Sequence, residues 1–404
     1  MRICIITSFS TPGWGGGITT HLKILVKALV ENNEEVIVLT GVVPQSGRAE
    51  ENIEGAVCEV IPGVGNDIHN PQFWQACCQV FEKINQEKSF DLILSEGSSA
   101  FGVYKKRNFG IPIIALLHQF KIIHLFNCFQ EVKSFRTLAI YGLKTVPKIF
   151  YDAIFQEWPF YRGCAGIICG AKHIVHQIKK YYRVDSNKIA AIPYWIDDKR
   201  FKADPVLKAS ARRQLGLPDN CFVFLIVSRI QITKGIDVSL KAFSRVIKNM
   251  PDAYLVIAGG GNETLLNSYK VLARRLNIDK KTIFAGMISE EFLPCIYNLA
   301  DVFIMPSVLI EVLPYTLLEA MATGLPIIAT KRPGNYEALD NAGIYVDVGD
   351  YEYLANAMLQ IYTNNSSRKN FAQKSFKRFQ ENFTIDKSIN RYINFLNKIA
   401  GKPQ

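Results

Sequence analysis

The sequence predicts an α/β protein with two Rossmann-like halves, each built on a doubly wound parallel sheet. Short β-branched runs alternate with amphipathic stretches of helical period, and the same layout repeats in the second half of the chain. The 404 residues also exceed what one hydrophobic core usually supports. Sheets of this kind bind ligands at the carboxyl ends of their strands, so the functional residues are expected there.

The first domain is predicted over residues 1–197. Its apolar runs indicate buried parallel strands, at residues 3–7, 35–39, 92–95, 113–117, 167–169 and 189–193. Between the first two runs, apolar side chains recur at helical spacing from Leu22 to Leu29. This alternation favours right-handed crossovers between parallel strands.

Residues 119–162 differ from the rest of this domain, because they are basic, rich in aromatic residues and helical in period without a clear strand. Two interpretations remain open. The segment forms core helices that shape a ligand pocket, or it docks on an anionic membrane through its lysines and shallowly inserted apolar side chains. The candidate inserting residues are Leu125, Phe126, Phe129 and Phe135.

A polar stretch at residues 198–219 is predicted to be a linker, and residues 220–380 the second domain. Further buried strands are predicted in it, at residues 222–227, 254–258, 282–285, 302–305 and 327–329. Residues 381–404 carry an apolar stripe at helical spacing that must pack on another element. We expect this last helix to pack back on the first domain, and the two domains to face each other across a cleft.

Charge and cysteine spacing limit the partners. The net charge of +11 favours anionic partners such as nucleotides or phospholipid surfaces. The chain has no arginine-rich tail, zinc-finger spacing or basic-aromatic RNA motif, so no nucleic-acid partner is expected. Without a cleavable signal pattern or a long uncharged apolar run, a cytoplasmic location is expected, free or peripheral on the inner face of the cell membrane.

Glycines fill four of five positions after the first strand, at 13 and 15–17. Glycine lets backbone amides approach an anion, and the start of the following helix adds a favourable partial charge. The spacing matches neither G-x-G-x-x-G nor G-x-x-x-x-G-K-[ST], which disfavours nicotinamide enzymes and P-loop kinases or phosphatases. The alternative is a merely flexible loop between strand and helix.

Two cations, Arg229 and Lys234, follow the first strand of the second domain directly. A guanidinium and an ammonium at a strand end can neutralise a diphosphate without a metal ion. Cations at a helix start oppose the helix dipole, so a bound anion explains them better than two exposed surface charges.

Two carboxylates, Glu311 and Glu319, stand eight residues apart around Pro314. A helix that begins near Pro314 places Glu319 about one turn inside it and leaves Glu311 in the preceding loop. Both glutamates have apolar neighbours, where a carboxylate is costly unless it is paired or hydrogen-bonded. Sugar and ribose hydroxyls are suitable partners, whereas the alternative is two solvated glutamates.

The order Arg229-x4-Lys234-Gly235 followed by Glu311-x7-Glu319 resembles glycosyltransferase family 4. Further landmarks support the resemblance over most of the chain, at residues 15–21, 115–118, 192–197, 258–261 and 334–337. The resemblance implies a GT-B fold, a nucleotide-diphospho-sugar donor, no required metal or other cofactor, and transfer with retention of anomeric configuration. It also implies a glycan or lipid-linked glycan as the acceptor.

The resemblance carries site roles onto this chain. Arg229 and Lys234 hold the donor diphosphate, Glu311 the sugar hydroxyls and Glu319 the ribose. Gly16 and Gly17 face the phosphates from the first domain, and His118 lies beside the reacting sugar, so His118 and Glu311 are the expected catalytic residues. Ile288 and Leu313 belong to the donor loops. On its position alone, His118 is otherwise a buried histidine satisfied by the backbone.

The chain departs from the family pattern at two places. Tyr194-Trp195 replaces the usual Asn-Gly, and Leu313-Pro314 replaces the frequent Phe-Gly, so Pro314 has no amide hydrogen to offer the donor. Two further functions remain open: a catalytically silent sugar-nucleotide-binding subunit of a transferase complex, and a sugar-nucleotide epimerase of the same architecture.

Overall fold

A computed structural model describes residues 1–7, 16–41, 50–61, 70–106, 109–118, 120–121 and 145–402, without the side chains of 50 and 51. The chain divides into two compact units. The first comprises Met1–Tyr194 and Ile385–Gln404, and the second Trp195–Thr384. Each unit contains one sheet with helices, which confirms the predicted α/β class.

The sheet of the first unit has eight strands. They are β1 Arg2–Thr7, β2 Glu35–Thr40, β3 Glu50–Ile53, β4 Ala56–Val60, β5 Leu92–Glu96, β6 Ile113–Leu117, β7 Gly166–Cys169 and β8 Ile189–Ala191. Their order is β3-β4-β2-β1-β5-β6-β7-β8, and every neighbouring pair is parallel except β3 with β4. The sequence prediction missed β3 and β4, because this edge hairpin lacks the continuous apolar runs of the buried strands.

Helices complete the first unit: Gly17–Glu31, Pro71–Glu87, Phe101–Lys106, Val146–Asp152, Trp158–Gly163, Lys172–Tyr182 and Ile385–Ala400, with a π-helical turn at Ala153–Glu157. The last of these lies along the end of the sheet, where Arg391 Nη2 donates to the Ala191 carbonyl oxygen over 2.8 Å. Its Ser388 Oγ donates to the Pro193 carbonyl oxygen over 2.9 Å. Among the described helices of the chain, none has both the length and the apolarity to cross a bilayer.

The sheet of the second unit has six strands. They are β9 Phe222–Val227, β10 Ala253–Ala258, β11 Thr282–Gly286, β12 Val302–Met305, β13 Ile327–Thr330 and β14 Ile344–Val346. Their order is β11-β10-β9-β12-β13-β14, and all neighbouring pairs are parallel. The sequence prediction missed β14, a three-residue edge strand that is partly exposed.

The helices of the second unit are Pro205–Gln214, Ile236–Val246, Glu263–Arg275, Leu293–Asn298, Tyr315–Ala322, Pro333–Leu339, Tyr351–Thr363 and Asn365–Asn382. Apolar side chains of β9 and β10 pack against the helices Ile236–Val246 and Tyr351–Thr363 in one continuous core. This core fixes the positions of the strand ends, from which the candidate site residues project.

The stretch 198–219, interpreted above as a linker from its polarity, contains a helix of the second unit. Asp204 caps this helix by accepting from the amide of Val206 over 2.8 Å. On the same helix, Arg212 is buried and donates to Asp301 Oδ2 over 2.8 Å. The polar side chains of this stretch therefore find partners within the second unit, which a polarity pattern does not reveal.

Candidate functional site

The loop after β9 carries Arg229 and Lys234 at the carboxyl edge of the second sheet. Arg229 is exposed, and Lys234 ends the short 3₁₀ turn Ile232–Lys234. Gly235 follows with φ +67°, and a Cβ there would lie 2.2 Å from the Pro306 carbonyl oxygen. Only glycine accepts both this backbone conformation and this close approach, so Gly235 fixes the Lys234 loop against the segment that follows β12.

Lys234 and Glu311 form an ion pair. Lys234 Nζ donates to Glu311 Oε1 over 2.6 Å, and Ser307 Oγ donates to the same oxygen over 3.0 Å. The two side chains are 13% and 22% exposed, so the pair is largely shielded but still reachable. An ammonium has three donors, and Glu311 takes one of them, so Lys234 can bind a further anion without losing this contact.

Glu319 lies one turn inside the helix Tyr315–Ala322, as the sequence predicted, but it is buried rather than solvated. The Tyr297 hydroxyl donates to Glu319 Oε2 over 2.6 Å. Burial raises the pKa of Glu319 to about 7, because the Tyr297 hydrogen bond and the charge of Arg200 offset the desolvation only in part. This carboxyl group therefore changes its charge near neutral pH.

Leu313 and Ile288 occupy two other loops of the second unit. Leu313 is buried directly before Pro314, the N-cap residue of the Glu319 helix, and Ile288 is half-buried after β11. The start of the helix Pro333–Leu339 packs against the peptide of Glu311, since a Cβ on Gly334 would lie 2.4 Å from the Glu311 carbonyl oxygen. Close backbone packing thus supports the loop that carries Glu311.

Gly16 and Gly17 stand at the start of the first helix of the chain. Gly16 is the N-cap residue, with extended backbone, and Gly17 is the first helical residue. A Cβ on Gly16 would meet no atom of the described residues within 4 Å. The rest of the glycine-rich loop, residues 8–15, lies outside the described residues.

In the first unit, His118 belongs to a buried polar cluster with His21, Glu96 and Tyr194. Glu96 ends β5 and His118 follows β6, two adjacent strands of the sheet. Glu96 Oε2 lies 2.6 Å from His118 Nε2, and Glu96 Oε1 lies 3.4 Å from His21 Nδ1. The Tyr194 hydroxyl lies 2.5 Å from the other ring nitrogen of His118, Nδ1. His118 is therefore surrounded by side chains, not satisfied by the backbone alone.

The cluster shifts the pKa values of its members. Burial by itself would raise the pKa of Glu96, but the charge and hydrogen bonds of His118 and His21 outweigh it and hold that pKa at about 2. Burial, followed by the charge of His118, lowers the pKa of His21 despite its contact with Glu96. Glu96 is consequently an anion at neutral pH.

Glu96 is not among the residues predicted from the sequence, and Tyr194 stands out there only as a departure from a family pattern. A signal was present, because polar residues at the ends of adjacent parallel strands meet at one sheet edge. Tyr194 also needs Gly170, since a Cβ there would lie 2.5 Å from the tyrosine ring. This steric requirement is visible only in the folded chain.

Two family models match consecutive parts of the chain. The model described as Glycosyltransferase Family 4 matches residues 15–200, which include Gly16, Gly17 and His118. The model described as Glycosyl transferases group 1 matches residues 208–378, which include the Lys234–Glu311 pair. The chain belongs to glycosyltransferase family 4.

Two curated relatives match about half of the chain. Mannosylfructose-phosphate synthase of Agrobacterium fabrum is 29% identical over 52% of this chain and 48% of its own length. UDP-Gal:alpha-D-GlcNAc-diphosphoundecaprenol alpha-1,3-galactosyltransferase of Escherichia coli is 32% identical over 54% of this chain and 57% of its own length. These alignments thus span about half the length of each relative.

The solved structure of sucrose-phosphate synthase from Thermosynechococcus elongatus resembles the whole chain. The TM-score is 0.82 at 18% sequence identity, and the match covers 99% of both chains. This likeness establishes that the family 4 chain has the GT-B fold, with its two parallel-sheet units.

The described residues of this family 4 chain include two groups of side chains with different ligand chemistry. The second unit supplies cations beside a carboxylate, which suits an anion linked to a polyhydroxylated group. The first unit supplies two imidazoles and a carboxylate, whose ligand atoms at His21, Glu96 and His118 all lie within 4.8 Å of one another. Such a donor set also suits a divalent metal.

Proposed function

We propose that the chain is a glycosyltransferase that moves a sugar from a nucleotide-diphospho-sugar to an acceptor hydroxyl. The Lys234–Glu311 pair carries this proposal. In this pair, an ammonium suited to binding a diphosphate lies directly beside a carboxylate suited to accepting hydrogen bonds from sugar hydroxyls. Both side chains lie at the strand ends where parallel sheets bind ligands. Membership of glycosyltransferase family 4 supports the same function.

The contacts of Glu311 suggest how one donor reaches both side chains. Lys234 and Ser307 both donate to Oε1 of Glu311. Oε2 is then the oxygen that accepts from sugar hydroxyls, while the remaining donors of Lys234 hold the diphosphate. Arg229 adds a second cation, and Glu319 on the following helix accepts from the ribose hydroxyls.

We infer that the transfer retains the anomeric configuration and needs no metal ion. The bond between the anomeric carbon and the diphosphate breaks as the acceptor oxygen attacks from the same face. The acceptor proton passes to the leaving phosphate, whose growing charge is met by Lys234 and Arg229. This proposal is supported by the absence of an Asp-x-Asp motif from the sequence, since such a motif commonly holds a metal on a nucleotide.

The acceptor is proposed to be a glycan or a lipid-linked glycan. The name of the Escherichia coli relative gives a UDP-galactose donor and a GlcNAc-diphosphoundecaprenol acceptor for that protein. We extend only the acceptor class to this chain.

Contact with an anionic membrane is proposed for the first unit, in the segment 119–162. Residues 122–144, including the candidate inserting residues Leu125, Phe126, Phe129 and Phe135, lie outside the described residues. Downstream of them, residues 146–163 run through consecutive helical turns and expose an apolar stripe of Phe150, Tyr151, Ile154, Phe155 and Trp158. Arg162 stacks over the Trp158 ring, 4.6 Å from its centroid, which adds a cation to this stripe.

Vesicle sedimentation tests the membrane proposal. The chain should sediment with anionic vesicles at low salt, and Phe155→Ser should weaken this binding because it removes an exposed apolar side chain. Val206→Ser is the matched control, since Val206 is an exposed apolar residue of the second unit. Equal sedimentation of wild type with anionic and neutral vesicles, or none with either, contradicts the proposal.

Donor hydrolysis tests the proposed enzyme directly. The purified chain is incubated with UDP-, GDP- and ADP-sugars, and release of the nucleoside diphosphate is followed with and without candidate acceptors. Glu311→Gln should abolish release, whereas Glu352→Gln, which removes a carboxylate from an exposed pair with Arg245, should not. Donor binding without any hydrolysis or transfer would instead support a catalytically silent subunit.

A further inference from the structure

Glu96 is a buried carboxylate held between two imidazoles of the first unit. Its side chain is 1% exposed, and its two oxygens face different histidines, His118 and His21. The nearby hydroxyl groups of Tyr194 and Tyr392 stay neutral, because burial raises the pKa of both well above the usual value. The anionic charge of Glu96 therefore acts chiefly on the two histidine rings.

The ionised carboxylate dictates where the ring protons sit. A carboxylate only accepts hydrogen bonds, so His118 must present a proton on Nε2 and His21 a proton on Nδ1. In a neutral His118 ring the remaining nitrogen, Nδ1, is then an acceptor, and the Tyr194 hydroxyl donates to it over 2.5 Å. Nε2 of His118 is thus a hydrogen-bond donor, and Nδ1 is an acceptor.

The geometry around His118 indicates that several neighbours together hold the ring, rather than a single hydrogen bond to Glu96. His118 Nε2 and Glu96 Oε2 approach to 2.6 Å, but the N–H does not point along the line between them. The proton on Nε2 is therefore favoured by the charge of the carboxylate at this short distance rather than by a linear hydrogen bond, and the ring depends on Tyr194 and on its edge-to-face contact with His21, at 4.4 Å between ring centroids, for its orientation.

We propose that Glu96 is a positioning residue that, with Tyr194, fixes the tautomer and orientation of His118 for the transfer reaction. This inference rests on the proposed function and on the role that the family resemblance implies for His118, beside the reacting sugar. The His118 side chain is 11% exposed, so one part of the ring remains accessible while Glu96 and Tyr194 hold its nitrogens. A carboxylate that holds the tautomer and orientation of a catalytic histidine acts on turnover, because the reaction depends on that tautomer.

Nuclear magnetic resonance of the full chain labelled with ¹⁵N-histidine tests the tautomer. The chain has six histidines, and His118→Gln and His21→Gln variants assign the two rings of the cluster. We expect a proton on Nε2 of His118 and on Nδ1 of His21. In Glu96→Gln the His118 ring should become a mixture of tautomers, because a glutamine amide both donates and accepts. Glu96→Asp should restore the wild-type pattern in part.

A matched control and a second variant keep the test decisive. Glu157→Gln removes another buried carboxylate of the first unit, which contacts Tyr161 and Tyr182, and should leave the His118 tautomer unchanged. If Glu96→Gln fails to fold, Tyr194→Phe decides: the His118 Nδ1 resonance should shift while the proton stays on Nε2. Movement of that proton to Nδ1 would mean that Tyr194, and not Glu96, sets the tautomer.

Kinetics separate positioning from a purely structural role. Glu96→Gln should lower kcat about tenfold or more while the KM for the donor stays within about twofold. Unchanged kcat, a wild-type His118 proton on Nδ1, or a stoichiometric divalent metal in the purified chain would each overturn the inference. If wild type transfers no sugar from any donor, the proposed function fails, whereas the ring tautomers still report on Glu96.

Discussion

Replacing Glu319 by glutamine should change the pH dependence of stability. The folded-state pKa of Glu319 is raised from the usual 4.5 to about 7, so the folded chain holds a proton that the unfolded chain has lost across this interval. Stability contributed by this group is therefore present below about pH 4.5 and falls as the pH rises to about 7. The loss amounts to about 3 kcal/mol, because one pKa unit corresponds to about 1.4 kcal/mol.

Glutamine does not titrate, so the difference in unfolding free energy between Glu319→Gln and wild type isolates this effect. We expect the difference to move in favour of the variant by about 3 kcal/mol between pH 4.5 and pH 8. The absolute difference also includes the buried amide of the variant, which costs about 1–3 kcal/mol if it lacks partners. Only the change with pH is therefore diagnostic.

Urea unfolding at half-unit pH intervals measures this difference. Glu157 has a pKa raised to about 7 by burial, but it is present in both proteins and cancels. Glu352→Gln, at an exposed ion pair, should show no such change with pH. A difference between Glu319→Gln and wild type that stays constant from pH 4.5 to pH 8 would refute the raised pKa of Glu319.

The same titration bears on donor binding. If ribose hydroxyls donate to ionised Glu319 as proposed, binding requires the charged form, and the affinity for an intact nucleotide sugar should rise about tenfold from pH 6 to pH 8. Calorimetry in buffers of different ionisation enthalpy should show proton release at pH 7. Glu319→Gln should bind more weakly at pH 8 and lose this pH dependence.

The remaining predictions concern the diphosphate and its supporting loop. Lys234→Ala should lower both donor affinity and turnover, with a loss of about 1.5–3 kcal/mol in the stabilisation of the transition state. Arg229→Lys should also reduce turnover in the same assay. Activity should survive EDTA, and strict dependence on added magnesium or manganese would contradict the proposed metal independence. Gly235→Ala should destabilise the chain more than Gly324→Ala in urea unfolding, because both glycines have positive φ, +67° and +75°, but only Gly235 also faces a carbonyl oxygen at 2.2 Å. Equal losses in the two variants would show that the close approach has no energetic effect.

Much of the fold could be predicted from the sequence because buried parallel strands are continuously apolar. The runs at residues 3–7 and 222–227 correspond to β1 and β9, which are buried along their whole length. Edge elements escaped this signal, as β3 and β14 show, because partial exposure removes the selection for apolar residues. The helix Pro205–Gln214 escaped because its polar side chains find partners far away in the sequence, such as Asp301 for Arg212.

The candidate site likewise has features that the sequence could predict and others that it could not. Residue spacing singled out Lys234, Glu311 and Glu319, since Lys234 and Glu311 follow recognisable strands and Glu319 lies inside a recognisable helix. Their partners lie far apart in sequence, and no local pattern predicts that Lys234 pairs with Glu311 or that Tyr297 bonds to Glu319. The ligand roles of Lys234, Glu311 and Glu319 stay predictions, as do those of the other expected site residues, Gly16, Gly17, His118, Arg229, Ile288 and Leu313.

The sequence by itself determined the α/β class, the two repeated sheets and the family, because strand periodicity and motif order are local properties of a chain. Only the tertiary structure decided which ionisable groups lose water and which charges meet. Burial raises the pKa of Glu319 to about 7, whereas contact with two histidines holds that of Glu96 at about 2. Two glutamates of the same chemistry thus acquire opposite behaviour near neutral pH, because desolvation and pairing depend on neighbours that only folding brings together.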